Sequence, residues 1–426
     1  MLIALDKEKP DQVPYIELGM DPYVLAQIAL FQDYWPRRLK KWLDNLHIYE
    51  ETIKATRELY GFIPKSRSKS LIRKILPIDA ITGSLLQQPT TYEFIYFATA
   101  SLLPQILRLG VDGTIIFGFP GIMRGSTKKE VNNKIQKFLV NESYVLHDID
   151  EWGNIRAVDV LYSDPEVQME KYIENLETND LEGKLWFHKK VEKKFGRDKL
   201  LIPGILGFFE TWHQIYGLSN MNKFFSELYK EYKKGSGPYL NLLDEALKFY
   251  LELLKVYADA GIKAVILLED CATSHGPMIP PEMYRKIYTS RIKKFVDKAH
   301  KLQIKVLFHT DGRMKMPRKE KPWDFMDAIV ESQIDGFHGC QADVNNLYEL
   351  KERYGEKLCL IGGISCVEVA QYAKSAQEVY RAVAKTFNAL KPGGGYIAAN
   401  DNGLHWGVNV YNVRAIARAV KFYGKY

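Results

Sequence analysis

Val306-Leu307-Phe308-His309-Thr310-Asp311-Gly312-Arg313-Met314 is the stretch that decides the fold. A short apolar strand runs out into a loop that presents an imidazole and a carboxylate two residues apart, with a glycine behind them. Parallel-sheet proteins bring reactive groups to the carboxyl ends of buried strands in this way.

The same pattern recurs on either side of it. Downstream of Ile262, short and nearly continuous apolar runs at 264–268, 305–308, 335–338, 358–361 and 395–399 read as parallel strands buried on both faces. Each is followed by a helical pattern. Pro280-Pro281-Glu282 suits an opening turn, leading into a long helix to about Leu302. Ser375-Ala376-Gln377-Glu378 is a capping-box pattern before a helix to Leu390, which Lys391-Pro392-Gly393-Gly394-Gly395 ends. Val413, Ile416, Ala417 and Val420 form an apolar stripe on the last helix. The 261–426 region thus holds five units of about thirty residues each, the size of a βα repeat.

Upstream, 113–117, 155–162 and 200–206 are three further strand candidates, which brings the expected number to eight. The expected fold is therefore an α/β (βα)8 TIM barrel forming a single domain over residues 1–426. An open doubly wound sheet is the alternative, but no Gly-x-Gly-x-x-Gly turn supports a dinucleotide site. Two segments are surplus to the barrel: a mainly helical N-terminal part to about residue 110, carrying Tyr34-Trp35-Pro36-Arg37-Arg38, and a polar insertion at 120–198. Such additions form lids, partner surfaces or solvated decoration.

Composition sets outer limits. The 426 residues are 46% hydrophobic, 12% aromatic and 26% charged, as in ordinary globular proteins. Basic and acidic residues are interleaved within a net charge of +7, which argues against nucleic acid as a partner. No stretch approaches the ~20 apolar residues of a membrane span, and the opening run is too short for a signal peptide. Cys271, Cys340, Cys359 and Cys366 show no framework spacing and fit a reducing cytoplasm.

The chemistry is expected at the strand tips. Glu269, Asp270, Cys271 and, further on, His275 follow the first of the five downstream strands. His309 and Asp311 follow the next, then His338, Cys340 and Gln341, then Gly362 and Gly363, and last Asn400, Asp401, Asn402 and His405. A barrel would gather these imidazole, carboxylate, thiol and amide groups around one opening. They suit a transition-metal ion, and they suit polarisation of a leaving group. His338 reads equally well as a core histidine. No P-loop, nucleophile elbow or His-Glu-x-x-His helix is present, and nothing matches the Asp-x-His-x-x-Gly signature of a cobalamin-binding module.

With these tips, further segments of the chain resemble the uroporphyrinogen decarboxylase superfamily. They are Lys9-Pro10-Asp11-Gln12-Val13-Pro14, Gly276-Pro277-Met278-Ile279-Pro280-Pro281-Glu282-Met283-Tyr284, Phe308-His309-Thr310-Asp311-Gly312, Leu350-Lys351-Glu352-Arg353-Tyr354-Gly355 with Gly362-Gly363-Ile364, and Gly393-Gly394-Gly395-Tyr396-Ile397. The resemblance implies a (βα)8 barrel with its site at the mouth. It also implies either decarboxylation of a porphyrinogen or methyl transfer to or from corrinoid proteins and thiols. The decarboxylase branch carries an arginine cluster after its opening motif and an aspartate after an early strand. Here Tyr15-Ile16-Glu17-Leu18-Gly19-Met20-Asp21-Pro22 contains no arginine, and Ile115-Ile116-Phe117-Gly118-Phe119-Pro120 contains no aspartate. Both departures favour the methyltransferase branch.

In that branch the resemblance implies His-x-Cys at the fifth tip, an acid at the sixth and a cysteine at the eighth, holding zinc for a thiol. This chain has His309-x-Asp311, with Gln341 and Asn402 at the other two positions. Oxygen ligands in place of thiolates suit an ether or phenol oxygen better than a thiol. The expected activity is methyl transfer from a methoxylated aromatic compound to the reduced corrinoid of a separate protein. His309, Asp311, Asp270 and Asn402 are expected to be catalytic, with Glu269, His338, Cys340, Gln341, Asp401 and His405 contacting substrate. His309 and Asp311 are the candidate metal ligands, zinc the candidate metal, and a homodimer the candidate assembly. Methyl transfer from a methylamine or thiol, decarboxylation, and an inactive barrel serving as a binding partner are the alternatives.

Overall fold

The computed structural model describes residues 1–19, 109–117, 123–131, 134–149, 155–177, 196–317 and 320–426, with isolated positions between 181 and 193. Most of the expected N-terminal helical part, including Tyr34–Arg38 of the aromatic and basic run, lies outside the described residues.

In chain order the strands are β1 (Gly113–Phe117), β2 (Met123–Val131), β3 (Lys134–Asn141), β4 (Val145–Ile149), β5 (Ile155–Val160), β6 (Leu200–Leu206), β7 (Ala264–Leu268), the two-residue β8 (Ala272–Thr273) and β9 (Gly276–Pro277), β10 (Lys305–His309), β11 (Gly336–His338), β12 (Cys359–Ile364) and β13 (Tyr396–Asn400). A curled seven-stranded sheet runs β1-β6-β7-β10-β11-β12-β13, and all its pairings are parallel. Helices connect and surround the strands, as in a TIM barrel.

The strand expected at 155–162 does not belong to this sheet. β5 pairs antiparallel with β4 in a separate four-stranded meander, β2-β3-β4-β5. Its sequence, Ile155-Arg156-Ala157-Val158-Asp159-Val160, breaks its apolar residues with Arg156 and Asp159, as an antiparallel strand outside a doubly covered sheet can. The barrel strands are more continuously apolar, with Thr114, Lys305, His309, His338 and Asn400 as their polar members.

The missing stave comes from the start of the chain. Ala398 N donates to Pro14 O (2.8 Å) and Ile16 N donates to Ala398 O (2.9 Å), a parallel bridge to β13. On the other side Asp112 N donates to Tyr15 O (2.8 Å), and Tyr15 N donates to the Asp112 carboxylate (3.0 Å). Residues 14–16 therefore link β13 to Asp112, the residue that leads into β1 at the other edge of the sheet.

Strand alternation sorts the core into two layers. Ile115, Ile202, Ala264, Ile266, Leu307, Ile361, Ile397 and Ala399 pack inside the barrel, where Ala4 and Leu5 of the helix Leu2–Leu5 join them. Val265, Leu267, Val306, Phe308, Phe337, Leu360, Tyr396 and Ala398 face the helical layer. Each Val, Leu, Ile or Phe among them contributes roughly 1.5–3 kcal/mol by leaving water. The helix Ala376–Leu390 starts where its capping signal predicts: Ser375 Oγ accepts from Glu378 N (3.2 Å), while Glu378 Oε2 accepts from Lys374 N (2.8 Å), one residue before the N-cap. Among the described residues no helix is long and apolar enough to cross a membrane.

Candidate functional site

The same alternation decides which tip residues share the opening. Ile266 and Leu268 point inward with Asp270, Leu307 with His309, and Ile397 and Ala399 with Asp401. His309 Nε2 lies 3.4 Å from Asp270 Oδ1 and 3.9 Å from Asp311 Oδ1. His309 Nδ1 lies 2.8 Å from His338 Nδ1. Asn402 Nδ2 donates to Asp311 Oδ2 at 2.6 Å, which joins the tip of β13 to that of β10.

The loop after β10 is fixed on both sides. Gly312 has φ +96°, and a Cβ there would come within 2.6 Å of Thr273 O, so the glycine is required. Gln341 Oε1 accepts from Gly312 N (2.9 Å), and Asn345 accepts from Met314 N and donates to Gly312 O (2.9 Å each). Gln341 thus holds the backbone that carries Asp311.

The remaining expected site residues make other contacts. Glu269 points outward, where its two carboxylate oxygens accept from Phe208 N (2.9 Å) and Phe209 N (2.7 Å). Cys340 also faces the helical layer, with its thiol toward Phe337 O (3.8 Å). Asp401 Oδ1 accepts from Cys366 N (2.8 Å), whereas its buried Oδ2 has no hydrogen-bond partner. His405 accepts from Gly407 N within its own loop (3.0 Å).

Burial and mutual repulsion set the protonation of the cluster. Burial pushes His309 down to about 4, so its ring is neutral at physiological pH. Burial, reinforced by the charges of Asp270 and Asp401, raises Asp311 to about 8, against the opposing Asn402 hydrogen bond. Asp401 rises to about 7 for the same first reason. Asp270 is raised by burial too, although its side chain is half exposed.

Asp270, His309 and Asp311 each offer a ligand atom within 4.8 Å of the others, the one such group among the described residues. Asp311 Oδ1 is buried without a hydrogen-bond partner, and it belongs to this convergence. An orphaned carboxylate oxygen beside a neutral imidazole and a second carboxylate fits a divalent cation such as zinc, with a coordination position left open. No cysteine enters the group. The tips read from the sequence begin at β7 and pass over one further pair. Glu210 Oε2 lies 2.8 Å from His213 Nδ1 on the loop and helix after β6, and both couple electrostatically to Asp270. The apolar run 200–206 ending in Gly207 was the available signal.

A parallel α/β barrel with an imidazole and carboxylates converging at the carboxyl ends of its strands defines the class of this molecule. Residues 154–423 match the family model for uroporphyrinogen decarboxylase (URO-D), and the chain belongs to that family. Its fold is similar to that of a methyltransferase from Methanosarcina mazei, with TM-score 0.54 and 13% identity over 99% of this chain and 97% of that one. A B12-independent methionine synthase from Shewanella sp. W3-18-1 aligns at TM-score 0.41 and 11% identity, over 78% of this chain and 86% of that one. No curated protein matches the sequence.

Proposed function

We propose that this protein transfers a methyl group from a methoxylated aromatic compound to the reduced corrinoid of a separate protein. One observation carries the reading: the convergent ligand set is His309, Asp270 and Asp311, with no thiolate. An imidazole with two carboxylates suits a hard oxygen donor, whereas holding a thiol as thiolate favours soft ligands. The structural likeness to a methyltransferase at full chain coverage supports methyl transfer as the class of reaction.

His309 would ligate zinc through Nε2, which requires its proton on Nδ1, facing the Nδ1 acceptor of His338. Asp270 and Asp311 would complete the protein's share of the ligands. A bound divalent ion would supply Lewis acidity to the ether oxygen. The chain's own work is to place that oxygen and neutralise it. Asn402 keeps Asp311 turned toward His309, and Gln341 with Asn345 keeps the loop from moving. Assistance at oxygen matters because a phenolate, whose conjugate acid has a pKa of about 10, is a poor leaving group.

The test is to mix the protein with zinc, a reduced corrinoid protein and a methoxybenzoate, and follow the cobalt absorbance. Formation of the methylated corrinoid together with a phenol is expected. Absence of both with every methoxyarene tried would sink the proposal.

A further inference from the structure

The pair Glu210–His213 has no part in the metal group, yet it is built as carefully. The strand tip Glu269–Asp270 works in two directions. Glu269 faces outward and clamps the backbone of Phe208 and Phe209, while Asp270 faces inward beside His309. The clamped loop carries Glu210 and opens the helix Thr211–Tyr216, so one buried carboxylate sets the register between His213 and the strand bearing Asp270. On the next position of that helix, Trp212 is fully buried and stacked on Phe224 (centroids 5.2 Å apart, 11° between planes), and its ring lies 3.9 Å from that of His213. The imidazole thus has little freedom.

Its hydrogen bonding points to chemistry. The Glu210 carboxylate, buried, meets His213 Nδ1 at 2.8 Å, which fixes the tautomer and leaves Nε2 as the working nitrogen. His213 keeps 25% of its side-chain surface open, whereas Glu210 keeps 10%. A buried acid orienting a more accessible imidazole is the arrangement by which proton carriers are held. Asp270 couples to both rings: His309 lies 3.4 Å away, and His213 acts on it through its charge.

We propose that His213 is the proton donor to the leaving heteroatom, oriented by Glu210, a role that rests on the methyl-transfer reading above. The methyl–oxygen bond breaks as the acceptor's nucleophilic metal centre forms its bond to the methyl carbon. The electron pair of the broken bond stays on the oxygen, which takes a proton from Nε2 of the His213 imidazolium and leaves as a neutral phenol. His213 becomes the neutral ring, with its remaining proton on Nδ1 toward Glu210. His213 regains its proton from solvent through its open edge.

The experiment uses the full-length, zinc-loaded protein with free reduced cobalamin as acceptor. The donors are a graded series, from the methyl ether of unsubstituted phenol to methyl ethers of acidic nitrophenols. His213→Gln and His213→Asn are expected to lose about 100-fold in turnover of the phenol ether and under about tenfold with nitrophenol ethers, which need no acid. Added imidazole restores part of the activity of His213→Ala, and zinc content and thermal midpoint stay at wild-type values. Equal losses across the donor series without imidazole rescue, or no loss at all, would overturn the assignment while leaving the methyl-transfer reading intact. A wild-type protein inactive toward every donor would overturn that reading, and the role of His213 with it.

Discussion

The Nδ1 atoms of His309 and His338 lie 2.8 Å apart across the tips of two adjacent strands. Two nitrogens at that distance share one proton, so each ring fixes the tautomer of the other. Burial lowers both rings, and the neighbouring His309 lowers His338 further, so neither is charged at neutral pH. For zinc held through His309 Nε2, His338 is the partner behind the ligand.

His338→Phe should therefore weaken zinc binding by about 10- to 100-fold while sparing the fold, since phenylalanine fills similar space without the acceptor. Competition with a chromophoric chelator measures this directly. Unchanged affinity would mean that His338 is no more than core packing.

Glu269 offers a separate test of the loop that carries Glu210 and His213. Glu269→Ala leaves the buried N–H groups of Phe208 and Phe209 without acceptors, at a cost of about 1–3 kcal/mol each. Glu269→Gln keeps one acceptor and should cost about half as much. Urea unfolding of both variants checks the ranking. A smaller loss in the alanine variant than in the glutamine variant would show that the clamp is not what holds the loop.

The same residue shows what was legible in the sequence. Val265, Leu267 and Glu269 share one face of β7, and Ile266, Leu268 and Asp270 share the other. Period-two alternation, read across the strand's end, separates the structural carboxylate from the one at the mouth. The buried strands were legible because water-free faces on both sides demand continuous apolar runs. Residues 14–16 were not, because Pro14 and a three-residue reach carry no strand pattern; only the two edges they bridge make them a stave. For the Glu210–His213 pair the apolar run 200–206 marked a strand tip, but the link to Asp270 is made between neighbouring strands and leaves no local pattern.

The buried carboxyls give the metal-free protein a pH signature. Burial raises Glu17 and Glu269 from 4.5 to about 8. The fold thus keeps protons that the unfolded chain has released, and this stabilisation is full below about 4.5 and lost as pH rises through about 8. His309 acts oppositely: lowered from 6.5 to about 4, it favours the fold above 6.5 and loses that contribution as pH falls toward 4. Between 6.5 and 8 only the carboxyls of this set change. Unfolding free energy should fall there by about 1.4 kcal/mol per pH unit for each carboxyl still protonated in the fold. Glu17→Gln should remove its share of the slope. A stability that rises over this interval would count against the buried, protonated state.

Asp311→Cys inverts the feature that sets this site apart from thiol-type sites. The substitution puts a soft donor beside His309 in a loop whose backbone is already fixed by Gly312, Gln341 and Asn345. A thiolate binds zinc and cadmium more strongly than a carboxylate does, so affinity for both should rise, with a cadmium–thiolate absorbance in the ultraviolet. The ether reaction should suffer, because the variant loses a carboxyl that burial raises to about 8 and the anchor for Asn402 Nδ2. A drop of at least about tenfold in methyl transfer from methoxyarenes, together with tighter metal binding, is the expected pair of results. Tighter binding with undiminished turnover would separate the ligand set from the choice of an oxygen substrate and remove the observation on which that choice rests.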